Sequence, residues 1–493
     1  MMWVGKIRSI GLFAILLCVL PFGVPLSATP VPVPSIAEDP AVKARLAVLD
    51  RWLQAQVAER ELPGLSVGIV HDQELIWARS YGFADGEKRI PATPKTAYRI
   101  ASLSKTFTAT AIMLLRDSGK LQLDDPVSKH LAWFKPKSAF SDAPVITIRH
   151  LLTHTSGLPR ESAASWYWND MQFPSRDEMI EAFAKQEMVL APETDLKYSN
   201  LALAIAGEIV EKVSGEPYAA YLERHVLGPL GMKQTRVLPT PDMPGLAVGY
   251  GKRVPGKRRS IQKFTDMKGL SACGNLASTV EDLARWASLQ MREGPASGTQ
   301  ILKGSSLREM HRVQWLRPDW KGGQGIGFSV RRVNDEVRFG HGGAISGHKT
   351  SFEIAPEEKL AVIVLANEDD AHPSEIRDMV FTLVEPGIKK AAARQKESPA
   401  PSQAGWDRYI GTYEWHDDEV LVMALDGELA LVDVTDGDPF AERIRLTPAG
   451  PNLFKMKGGG TDGEFLRFEV DAGGVVLRML TADSYYLPKV QSR

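Results

Sequence analysis

Cysteine is nearly absent. Two cysteines in 493 residues exclude a disulfide framework. Cys18 lies in an N-terminal segment expected to be removed, which leaves Cys273 without a partner and best read as a small packed side chain. Neither sign of charge is in excess: 59 Lys and Arg against 60 Asp and Glu give a formal net charge of −1, which argues against general nucleic-acid binding. There is no His-Glu-x-x-His and no paired-cysteine motif, so metal chemistry has no obvious ligand set. His150 and His154, at helical spacing, read as structural. Residues 342–349 nearly spell a phosphate loop, but His348 stands where that loop requires lysine. No internal repeat is evident, and beyond the N-terminus no apolar run is long enough to cross a bilayer.

One long apolar run exists, at the start. Lys6 and Arg8 precede an apolar stretch over 10–26, and Ser27-Ala28 supplies small residues for cleavage, so residues 1–28 read as a secretory signal peptide cut near Ala28. Pro21, Pro25 and the short length argue against a stable membrane span. Leu17 before Cys18 argues against a lipoprotein site, which usually has a small residue there. The expected location is therefore secreted or periplasmic. Residues 29–39, opening Thr29-Pro30-Val31-Pro32-Val33-Pro34, read as an extended leader.

The remaining length exceeds one ordinary core, so at least two domains are expected. A helix is predicted over 40–61, then a strand over 65–70, a turn at Asp72-Gln73-Glu74 and a returning strand over 75–82: a hairpin at a sheet edge. Helices follow over 147–153 and 201–213, the second ending at Gly215, and another starts at Thr279. Strands resume at 327–330, 337–340, 351–354 and 360–365. A hairpin, a long helical insert and further strands predict an α+β domain over 40–385 whose sheet joins distant segments. Lysine- and alanine-rich, then proline-rich text over 386–405 reads as a linker. Short alternating strands with Asp/Gly turns over 406–493 predict a small all-β barrel or sandwich. Trp166 and Trp168 are candidate cleft-lining or packing residues.

Ala101-Ser102-Leu103-Ser104-Lys105 is the stretch around which this chain is organised. Residues three apart on a helix share a face, so the Lys105 amine can reach the Ser102 hydroxyl. Serine is a poor nucleophile until a base takes its proton. Phe107, Ile112, Leu114 and Leu115 mark the buried stripe of the helix, and Gly119 its end. In an extended stretch i and i+2 point the same way, so Tyr198 and Asn200 can face one cleft. A tyrosine beside cations can shuttle a proton, and an amide can hold a substrate carbonyl. His341-Gly342-Gly343 follows a predicted strand; glycines let a substrate backbone approach the strand edge, and the N–H of Ala344 with that of Ser102 can form an oxyanion hole.

Ser102-x-x-Lys105, Tyr198-x-Asn200 and His341-x-Gly343, in this order, resemble the penicillin-recognising serine hydrolases, in the branch of class C β-lactamases, D-alanyl-D-alanine carboxypeptidases and related esterases and D-amino-acid peptidases. The stretches 150–158 and 274–279 resemble that branch too, and the segment opening Tyr409-Ile410-Gly411-Thr412-Tyr413 resembles the lipocalin-like domain appended to some members. The resemblance implies a β-lactamase/transpeptidase-like fold, an antiparallel sheet flanked by helices. It also implies an acyl-enzyme on Ser102, proton transfer by Lys105 and Tyr198 with the base left open, and substrate binding by Asn200, His341 and Gly343. No metal or cofactor is implied, and the partner is a small-molecule or peptide substrate. The third motif departs from the β-lactamase pattern: His341 stands for a lysine, and Gly342 for a hydroxyl residue. A histidine of ordinary pKa is mostly neutral at pH 7. Carboxylate recognition should therefore weaken, which favours an ester or peptide substrate over efficient β-lactamase or carboxypeptidase action. The rival of another class is an inactive ligand or cell-wall peptide sensor.

Overall fold

The computed structural model describes residues 35–164, 172–292, 299–396, 405–415, 418–425, 427–434, 437–481 and 485–490. The expected signal peptide, Trp166 and Trp168 lie outside these residues.

Helix α1 (Pro40–Glu59) starts where the Asp39 side chain accepts the N–H groups of Ala41 and Val42, with Pro40 in the first turn. Strands β1 (Gly64–His71) and β2 (Glu74–Asp85) form the predicted hairpin. After the helical region come β3 (Ser329–Val333), β4 (Glu336–Ile345), β5 (His348–Ala355) and β6 (Leu360–Ala366). Among the described residues the sheet is antiparallel with nine strands, in the order Ile90–Pro91, β2, β1, β6, β5, β4, β3, then two short strands at Gly322–Gln324 and Trp315–Leu316.

The sheet is buried on both faces, and strand alternation divides its residues between them. Ala361, Ile363 and Leu365 of β6 face the main core, packed with α2 (Ser104–Asp117), α4 (Asn200–Ser214) and α5 (Val280–Gln290). Phe107 of α2 stacks on Trp286 of α5 with ring centroids 3.8 Å apart. Leu360, Val362 and Val364 face the other side, where α1 packs with α6 (Pro373–Lys396).

Two boundaries differ from the sequence reading. The stretch from 386 read as linker instead continues α6 to Lys396. Pro386 removes one backbone donor, but Val384, Ile388 and Ala391 remain buried against the sheet's second face, and Gly387 sits close against Arg45. The strand predicted at 327 begins only at Ser329, because Gly327 turns with φ +77° and lies against α2, where a β-carbon would overlap that of Ala109.

The C-terminal strands β7 (Gly411–Trp415), β8 (Asp418–Leu425), β9 (Glu428–Asp433), β10 (Ile444–Gly450), β11 (Leu453–Lys457), β12 (Phe465–Val470), β13 (Val476–Thr481) and β14 (Tyr485–Pro488) pair in chain order. A bridge from Tyr413 to Lys489 brings first and last together, giving a nearly closed antiparallel barrel. Its interior holds Tyr409, Tyr413, Phe454 and Phe468. The alternate residues Met423, Leu425, Ala430 and Val432 point outward into the core shared with α1 and α6.

Candidate active site

Ser102 lies in a single 3-10 turn (Ala101–Leu103) that runs into α2. Ala101 before it takes φ +46°, a left-handed conformation that a non-glycine residue adopts at a cost. The turn is held from outside: the Ile100 N–H donates to Leu276 O at 2.9 Å, and the Leu276 N–H to Ser104 Oγ at 3.1 Å. One turn on, Lys105 is fully buried, and its Nζ donates to Ser102 Oγ at 3.0 Å and to Cys273 O at 2.7 Å. The second bond fixes an otherwise flexible amine on the serine. Cys273 thus contributes through its carbonyl; its buried thiol is pushed up to about 11 and stays protonated.

Tyr198 enters from the segment before α4. Ser199 is extended (φ −135°, ψ 117°) and caps α4 through the Ala202 N–H, so Tyr198 and Asn200 flank a cap. Lys105 Nζ lies 5.0 Å from the Tyr198 ring centroid, and the Arg160 guanidinium 4.9 Å. His154 packs on the same ring with centroids 4.3 Å apart. The Ser199 N–H donates to His154 Nδ1 at 3.2 Å, which requires that nitrogen to be unprotonated. Burial first, then Lys105, His341 and Arg160, hold the His154 pKa well below that of a free histidine. His150 is structural: its Nδ1 accepts the Thr147 N–H in the cap of α3 (Ile148–Leu152), and its Nε2 meets Glu193 at 2.9 Å.

Arg160 and Glu161, not singled out from sequence, complete this wall. The Arg160 carbonyl accepts the Asn200 N–H at 2.7 Å and the Leu201 N–H at 3.2 Å, and Ser199 Oγ donates to Pro159 O at 2.6 Å. The Asn200 amide nitrogen donates to Glu161 Oε1 at 2.6 Å, occupying one of its two N–H groups. Asn200 Oδ1 and Glu161 Oε2 are buried with no partner among the described residues. Burial raises the Glu161 pKa above its ordinary value.

His341, Gly342, Gly343 and Ala344 lie on β4, which pairs with β3 only as far as Gly340 while its other edge stays on β5. Beyond Gly340 the first edge has no strand partner among the described residues, and β4 packs against the Ser102 turn. Gly343 is glycine for a reason other than substrate approach: a β-carbon there would overlap the Ile100 carbonyl oxygen. The two segments can meet only without a side chain at 343. His341 is buried, and its Nδ1–H donates to Gly342 O. Burial, helped by the Lys105 charge, lowers its pKa to about 4, so it is uncharged at neutral pH.

Ser102 and Ala344 both line two recesses. One of about 170 Å³ is bounded by Arg160, Glu161, Phe173, Asn200 and Met267. A wider one of about 440 Å³ is bounded by Tyr198, His341, Gly342, Lys349 and Arg377. The seven residues predicted from sequence thus border one cleft or its immediate floor.

A hydroxyl bonded to a buried lysine, beside a tyrosine and a strand edge, on a helix-flanked antiparallel sheet, defines the architecture of the serine β-lactamase and transpeptidase class. The beta-lactamase family matches residues 49–383, more than half of the chain, and the protein belongs to that family. Beta-lactamase-like protein 2 of Dictyostelium discoideum is 24% identical, covering 97% of this chain and 90% of its own. Esterase EstB of Burkholderia gladioli is 36% identical over 195 residues, 38% of this chain and 50% of the esterase. The structure is similar to that of the octameric penicillin-binding protein homologue from Pyrococcus abyssi, with TM-score 0.62 and 26% identity over 90% of this chain and 99% of that one. Among the described residues no helix is long and apolar enough to cross a membrane.

Proposed function

We propose that this β-lactamase-family hydrolase cleaves an ester or amide, with an ester, peptide or D-amino-acid substrate favoured, through an acyl-enzyme on Ser102. The 3.0 Å contact between buried Lys105 Nζ and Ser102 Oγ carries this reading. Ser102 Oγ attacks the carbonyl carbon as its proton passes to the Lys105–Tyr198 pair, and the N–H groups of Ser102 and Ala344 receive the carbonyl oxygen as it gains charge. The pair returns the proton to the leaving group, and water then releases the acyl chain. Asn200, His341 and Gly343 shape the binding cleft. Export by the N-terminal apolar segment, and the lipocalin-like nature of the C-terminal barrel with its apolar interior, belong to the same proposal.

The substrate preference rests on His341 and Gly342. His341 carries no charge at neutral pH, and Gly342 no hydroxyl, so the motif lacks the two groups that would hold a carboxylate beside Ser102. Arg377, in the wider recess, is already bonded to Ser351 at 3.0 Å and Asp378 at 2.8 Å. The similarity to an esterase over part of the chain supports the same preference. The test is kcat/KM for a short-chain nitrophenyl ester, D-amino-acid amides and a penicillin. Ester or amide turnover well above penicillin turnover is expected; fast penicillin turnover overturns the preference. His341→Lys with Gly342→Thr is expected to raise penicillin acylation about tenfold or more, since it restores a charge and a hydroxyl. Space allows it: a β-carbon at 342 would meet only Thr350 O, at 3.6 Å. Unchanged acylation in a folded double variant removes these two positions as the cause.

A further inference from the structure

We infer that Arg160 supplies a fixed positive charge that tunes proton transfer by the Lys105–Tyr198 pair. This rests on the acyl-transfer reading above.

The groups facing Tyr198 can be taken element by element. From α2 comes Lys105 Nζ, 5.0 Å from the ring centroid, with Ser102 beyond it. From the end of α3 comes His154, neutral because its Nδ1 accepts the Ser199 N–H. From β4 comes His341, with its ring centroid 6.3 Å from that of Tyr198 and its Nδ1–H committed to Gly342 O. From the loop after α3 come Arg160, 4.9 Å from the ring centroid, and Glu161. Lys349 and Arg377 line the same wide recess as Tyr198. Burial keeps both histidines uncharged at neutral pH, and the Arg160 guanidinium is set against the tyrosine ring by the loop after α3.

Its position is built rather than incidental. The Arg160 carbonyl takes the Asn200 and Leu201 N–H groups, the first donors of α4, and Ser199 Oγ is bonded to the preceding Pro159 carbonyl. The loop is thus tied to the segment that carries Tyr198. A permanent guanidinium next to a proton-accepting pair favours the form of that pair that has given up its proton. Glu161 opposes it: its carboxylate lies 3.3 Å from Arg160 Nε and offsets part of the field. The Arg160 side chain is 53% exposed, so the effect is screened by salt. Arg160 is a positioning residue that acts through Tyr198 and Lys105.

Adjacent neutralisations should therefore have opposite signs. With a nitrophenyl ester as probe, Arg160→Gln is expected to move the acid limb of the kcat/KM–pH profile upward by roughly 0.5–1 unit, and Glu161→Gln to move it downward. Gln at 161 still accepts the Asn200 N–H, which keeps that contact. Arg160→Lys should retain most of the wild-type limb, and His341→Lys added to Arg160→Gln should move the limb back. The shifts should shrink in high salt. A purely structural Arg160 would lower kcat or stability without displacing the limb, and an unmoved limb in folded Arg160→Gln overturns the inference. Failure of the acyl-transfer reading looks different: wild-type protein then shows no Ser102-dependent turnover at all.

Discussion

Lys105→Met is expected to cut ester turnover at least about a thousandfold while the protein stays folded. Methionine matches the length of the lysine stem and suits a buried site, so the helix packing around Phe107 and Trp286 is kept. What disappears is the amine bonded to Ser102 Oγ and to Cys273 O. The serine then loses the amine in contact with it, and the Cys273 carbonyl loses its donor, a loss of about 1–3 kcal/mol where no water replaces it. Circular dichroism and thermal melting separate the two effects: a modest fall in Tm with near-total loss of turnover is the expected pattern. Turnover within tenfold of wild type would remove Lys105 from the chemistry.

Gly343→Val should be nearly as damaging, by a different route. Any β-carbon at 343 overlaps the Ile100 carbonyl oxygen, so β4 must draw away from the turn that carries Ser102. Overpacking of this kind costs about 1–3 kcal/mol, with the upper end expected for a clash with backbone. The larger effect is on activity. Displacing Ala344 from Ser102 separates the two proposed oxyanion donors, and misplacement of about 1 Å can cost a hundredfold in rate. Gly342→Ala is the matched control, because a β-carbon at 342 meets nothing closer than 3.6 Å. Equal effects at 342 and 343 would contradict this account of the close approach.

The sequence reading and the structure part company for identifiable reasons. Local periodicity was enough for α4, whose apolar run ends at Gly215 in the left-handed conformation, and for the alternating strands of the barrel. The order of three short motifs was enough to bring Ser102, Lys105, Tyr198 and His341 to one cleft. Contacts made across the chain were not legible. The bond from Lys105 to Cys273 O spans 168 positions, and it lies on a carbonyl, which every residue has. Arg160 and Glu161 lie just past the 150–158 stretch, after Pro159, but only the tertiary structure brings that loop back onto Tyr198 and Asn200, some forty positions later. The sequence offers substrate room as a reason for Gly343, whereas its nearest demand comes from Ile100. Pro386 and the lysines after it have the composition of a linker, and composition does not reveal that Ile388 and Ala391 have an apolar face to cover.

The most direct test of the central claim is intact-mass spectrometry after treatment with a fluorophosphonate, followed by peptide mapping. One covalent adduct per chain on Ser102, absent from folded Ser102→Ala, is the predicted result. No adduct on folded wild-type protein, or an adduct that survives Ser102→Ala, would contradict a serine acyl-enzyme and favour a ligand-binding or sensing role for the same cleft.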